Sequence, residues 1–139
     1  MSIDALMVLC TCPDRAVADG IATALLDRKL AACVNRIEGV ESIYRWEGKI
    51  QRDQEHLLFI KTTTAAYRRV EELIVEMHPN DVPEVIGVSL ERGLARYLDW
   101  IADSAGRLLC LWAAHQHSSL GAAAEPSLVG DINPHDHGA

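Results

Sequence analysis

The segment from Ala31 to Thr64 places the tightest limit on what this chain can fold into. It holds two β-forming stretches, "SIYRW" and "KIQ" with their flanks, joined at Glu47-Gly48. An acidic residue followed by glycine suits a two-residue hairpin turn, whose central positions take left-handed backbone angles. The segment is 34 residues long, and two strands of average length plus a tight turn need roughly half of that. The hairpin therefore reaches beyond its own core. A lone two-stranded ribbon is marginal in water, so this one must pair with or lie on something else, and another copy of the chain is the simplest partner.

The flanking segments supply that core. "ALMVLCT" reads as a buried strand ended by Pro13. Pro13 and Asp14 suit a helix start, after which Val17, Ile21, Ala24 and Leu25 recur at helical spacing. The ribbon's second strand ends in alternation. His56, Leu58, Ile60 and Thr62 point one way, while Leu57, Phe59, Lys61 and Thr63 point the other. Thr64 is the expected cap of a second helix, whose buried stripe is Tyr67, Val70, Leu73, Ile74 and Met77 and which Pro79 stops. "EVIGVSL" reads as a fourth strand, and "LARYLDWIADSAG" as a third helix with Gly106 as its C-terminal cap. The predicted class is α+β: a ferredoxin-like βαββαβ sandwich with an extended hairpin and an added C-terminal helix.

With a single Phe, the core has to be aliphatic. The formal net charge of −7 and the lack of an RNP1-type aromatic strand argue against nucleic acid as a partner. No run approaches the ~18 apolar residues of a membrane span, and "MSIDALMVLCTC" lacks the basic start of a secretory signal. Cys10, Cys12, Cys33 and Cys110 then read as free thiols of a reducing compartment, and the expected location is cytoplasmic. No Gly-rich phosphate loop or HExxH pair accompanies Cys10 and His78, so no enzymatic activity is expected. Residues 1–106 read as one domain. Residues 107–139, rich in Ala, Gly, Ser and Pro and carrying "HQH" and "HDH", read as a largely disordered extension.

"LCTCPD", "LAACVN", "SIYRWEGKI", "FIKT", "HPNDVPEV" and "YLDWI" stand in order along residues 5–105. Together they resemble the CutA family of divalent-cation tolerance proteins. The resemblance implies a homotrimer built like the PII signalling proteins, with strands extending between neighbours, and divalent-metal binding, Cu2+ above all or Zn2+, in response to metal ions. It carries the ligand set onto Cys10, His78 and Glu84, which should need the trimer to meet. Asn80 and Asp81 depart from the aromatic and glutamate that relatives carry at this elbow, and Leu94 departs from an asparagine. The alternative is a PII-like signalling or scaffold trimer whose clefts take a small ligand or a partner protein.

Each of these residues also has a plainer role open to it. Cys10 suits a small buried hydrophobe, His78 can complement a helix C-terminus, and Glu84 can pair with a basic residue. Cys10 and Cys12 share a strand face only if the strand outlasts Pro13's influence, and they read as two free thiols. Tyr44 and Trp46 on the ribbon, and Tyr97 and Trp100 three apart on the last helix, read as interface aromatics. Lys61, inside an apolar strand, reads first as half of an ion pair and second as an anion contact in a cleft between subunits.

Overall fold

The structure, a computed structural model, describes residues 5–105; Gly106 and the 107–139 extension lie outside the described residues. Strand β1 (Ala5–Cys12) leads to α1 (Arg15–Asp27), then β2 (Cys33–Trp46), β3 (Lys49–Thr63), α2 (Tyr67–Met77), β4 (Ile86–Ser89) and α3 (Ala95–Ser104). The sheet order is β2-β3-β1-β4, with every neighbouring pair antiparallel. This is the split βαβ arrangement expected from the order of elements.

The alternation in β3 sets the core. Leu58, Ile60 and Thr62 are fully buried, as are Val8, Cys10 and Cys12 of β1. They face Ala18, Ile21 and Leu25 of α1 and Val70, Leu73 and Ile74 of α2. Each large aliphatic side chain here contributes roughly 1.5–3 kcal/mol by leaving water. Thr62 avoids a burial penalty because its hydroxyl donates to the Leu30 carbonyl at 2.6 Å. Asp14 caps α1, accepting the Val17 N–H at 2.9 Å. The start of α2 differs from expectation. Its N-cap residue is Ala66, without a side-chain bond, and the Thr63 hydroxyl oxygen accepts the Ala66 N–H at 3.2 Å.

The ribbon is as long as its sequence demanded. Glu47 and Gly48 both have positive φ, 49° and 74°, the signature of a type I′ turn. The β2–β3 register shifts between Ile37 and Val40, where Gly39 takes φ 77°. Such a bulge bends the strand and increases its twist, and beyond it Ile43 and Ile50 are largely exposed. Arg36 fastens the ribbon's base to α1. Its Nε bonds Asp19 at 2.8 Å and its Nη1 bonds Glu38 at 2.6 Å, and Arg15 reaches the same Glu38 carboxylate.

The sheet's second face is only partly covered. Met7, Leu9, Leu57, Phe59 and Lys61 are half-buried there. α3 touches β1 and β3, burying Ile101 outside the main core cluster.

Candidate metal centre

Strand β1 persists through Cys12, which pairs with His56 of β3. Side chains two apart on a strand share a face, so Cys10 and Cys12 both enter the core and neither is exposed. Helix α2 stops because Pro79 denies the preceding residue helical angles; His78 takes φ −77° and ψ 137°. Its ring then hangs over the end of β1, 6% exposed. Nε2 donates to the Thr11 carbonyl at 2.8 Å, and Nδ1 accepts the Asn80 backbone N–H at 3.1 Å. A carbonyl at one nitrogen and an N–H at the other assign the neutral ring protonated at Nε2. Ligand atoms of Cys10, Cys12 and His78 all lie within 4.8 Å of one another.

The two thiols differ. Cys12 is the more acidic of the two, its pKa moved below the ordinary thiol value by hydrogen bonding with Cys10 and by the neighbouring His78, against the opposing effect of burial. Cys10 keeps its proton well above the ordinary thiol range, held by that hydrogen bond, by burial and by the charges of Cys12, Glu84 and Glu55. Burial opposes a charged His78, but hydrogen bonding to Cys12 and to the Thr11 carbonyl outweighs it, and the ring's pKa moves up. Protonating Nδ1 would forfeit the Asn80 bond. Glu55, itself buried at 2% exposure, is felt by both thiols and by the imidazole. The site is thus two sulfurs and an imidazole inside a negative field. Those donors fit a soft or borderline metal ion and not a hard one such as Mg2+.

Known proteins resemble this chain over most of its described length. The sequence model for the CutA1 divalent ion tolerance protein family matches residues 6–104. The chain belongs to this family. A divalent-cation tolerance protein CutA of Thermus thermophilus is 45% identical over 100 residues, covering 72% of this chain and 97% of that protein. A CutA homolog of Xenopus laevis is 46% identical over 93 residues, but the match spans only 62% of that longer protein. The crystal structure of CutA1 from Oryza sativa superposes with a TM-score of 0.74 at 38% identity, covering 76% of this chain and 97% of that one.

In this CutA1-family chain, Cys10 and His78 meet within a single chain, without the neighbouring copies expected from the sequence. The reason is the run of α2 back across the sheet, which delivers His78 to the end of β1. Glu84 stands apart from the group. Its side chain is exposed, and only its charge reaches Cys10. Cys12 joins instead. The period-two spacing was the signal for it, set aside because Pro13 was expected to end the strand sooner. Asn80, read as a departure at the elbow, is 5% exposed, and its backbone holds the imidazole. Glu55 had no sequence signal among its polar neighbours.

The other singled-out residues lie elsewhere. Tyr44 is half-buried on the ribbon and donates to Asp53 at 2.6 Å, beside the half-buried Trp46. Tyr97 and Trp100 sit 5.6 Å apart between ring centroids, about two-fifths exposed. Lys61 makes no ion pair among the described residues, so the pairing expected for it is not found among them; the backbone register sets it between Met7 and Cys33. A cavity of about 370 Å³ opens between α1 and α2, lined by Arg28, Leu30, Arg69, Glu72, Leu73 and Glu76. Its two cations and two anions balance, which leaves no preference for an ion.

Proposed function

We propose that this chain acts in the cytoplasm as a non-enzymatic homotrimer that binds divalent metal ions, Cu2+ or Zn2+, and contributes to tolerance of them. The observation that carries the metal reading is the convergence of Cys10, Cys12 and His78 within 4.8 Å at the buried end of β1. Glu84, by resemblance the third ligand, lies on the exposed elbow that leads from His78 into β4. Support for the homotrimer comes from the half-covered sheet face and from a ribbon with exposed Ile43 and Ile50. Among the described residues no helix is long and apolar enough to cross a membrane.

Calorimetric titration of wild type and Cys10→Ala with Cu2+ and Zn2+ tests the reading. Wild type should bind a stoichiometric ion and the variant should lose most of the affinity. Equal binding by both proteins would remove this site from the function.

A second reading is favoured by Lys61. A half-buried ammonium without an ion pair among the described residues suits an anionic small ligand or a partner's carboxylate at a subunit cleft, as in a PII-like signalling trimer. Metabolite-dependent thermal shifts that persist in Cys10→Ala and vanish in Lys61→Met would support it.

A further inference from the structure

We propose that Cys12 makes this a dithiolate site for a closed-shell, thiophilic divalent cation such as zinc or cadmium, with Cys10 and Cys12 as primary ligands and His78 joining second. The inference rests on the metal-binding reading above and specifies which ions the site takes and which residue decides it.

Geometry is the first argument. Two metal–sulfur bonds of about 2.3 Å meeting at a tetrahedral angle hold their sulfurs about 3.8 Å apart. Sulfurs no more than 4.8 Å apart can therefore share one cation after closing by at most about 1 Å. Both belong to one strand that stays in register with β3 through Cys12, although β4 pairs only as far as Leu9, and both side chains are fully buried, so the pair is already organised for binding. The imidazole is not equally ready. Both ring nitrogens are engaged, with Thr11 and with Asn80. To ligate, the ring must release the Thr11 carbonyl or the Asn80 N–H, so the sulfurs lead.

Donor type and charge then select the ion. Thiolates prefer Zn2+ and Cu+ to oxygen-seeking cations, and copper held by them is monovalent. Two thiolates, a neutral imidazole and a divalent cation sum to zero charge, whereas a monovalent cation leaves one negative charge. That residual charge would sit out of water near the buried Glu55, whose charge is felt at the Cys10 sulfur, and like charges repel strongly at low dielectric. The balance favours the divalent ion. Binding releases the remaining thiol protons to solvent and needs no electron transfer.

The test uses metal-free full-length protein under anaerobic, reducing conditions. Co2+ serves as the spectroscopic probe and Zn2+ and Cd2+ as competitors, with wild type, Cys12→Ala, Cys10→Ala and His78→Gln compared after circular dichroism confirms that each is folded. Wild type should develop a sulfur-to-cobalt charge-transfer band of two-thiolate intensity that one equivalent of zinc abolishes. Cys12→Ala should halve that intensity and weaken zinc by roughly 100-fold, since even outer-shell partners of a metal are worth about 10- to 100-fold. His78→Gln should keep the two-thiolate band at lower affinity. If Cys12→Ala matches wild type while Cys10→Ala loses binding, the role given to Cys12 is overturned and the metal-binding function survives. If the site ignores cobalt, zinc and cadmium but takes cuprous ion from a competing chelator, the charge argument is overturned. If wild type binds none of these ions, the underlying function fails with it.

Discussion

His78 shows how one side chain can serve a fold and a site together. Its ring satisfies the carbonyl of Thr11 and the N–H of Asn80 in a buried position. His78→Ala strands both, and each unsatisfied buried group costs about 1–3 kcal/mol. The variant should lose roughly 2–4 kcal/mol in a urea melt even without metal, which is why Cys10→Ala is the cleaner test of binding. Tyr44 offers a prediction on the alkaline side. Burial, the bond to Asp53 and the charges of Asp53 and Glu55 raise its phenol to about 12. A raised phenol pKa means the fold favours the neutral form. That stabilisation is complete below the unfolded value of about 10 and is lost as pH climbs from there through 12. Stability measured from pH 9 to 12 should therefore fall less steeply in Tyr44→Phe than in wild type.

At the scale of elements, the ribbon turn tests whether local chemistry limits the hairpin. Glu47 occupies a left-handed conformation at φ 49°, where an ordinary L-residue is strained by about 1–2 kcal/mol and asparagine by less. Glu47→Asn should stabilise the protein by about 0.5–1 kcal/mol. Gly48→Ala, at φ 74°, should destabilise it by about 1 kcal/mol. Chemical denaturation of the two variants should move in opposite directions, and movement in one direction would mean that the tip is relieved by other contacts. The turn was legible because Glu-Gly sits midway between two β-forming runs. The bulge near Gly39 was not, since an extra residue in one strand appears only when its partner's register is known. The start of α2 was misplaced for a related reason: Thr63 and Thr64 carry the same hydroxyl, and which one meets the next N–H depends on how β3 ends.

For the molecule as a whole, the half-covered face is the feature that calls for partners. Phe59 lies there among Leu57, Met7 and Leu9, and a charge at its position would have to leave water wherever copies meet. Phe59→Lys should turn an assembly of about three times the 15.3 kDa chain mass into single chains by analytical ultracentrifugation, with circular dichroism unchanged. A wild-type protein that already sedimented as one folded chain at micromolar concentration would remove the trimer from the proposed function. Lys61→Met belongs to the same scale, because its value depends on what a neighbouring copy brings to the ammonium.

The order of elements, the sheet's apolar face, the long hairpin and its turn could all be read from the sequence. Each depends on side-chain periodicity or on backbone preferences that act over a few residues, and both are present in the unfolded chain. The membership of the site could not be read this way. Cys10, Cys12 and His78 are separated by the two longest strands and two helices. Their meeting depends on where β1 ends, on the line α2 takes back over the sheet, and on an Asn80 N–H that turns the ring. Those are consequences of packing, which settles distances between residues far apart in sequence, and only the tertiary structure decided them.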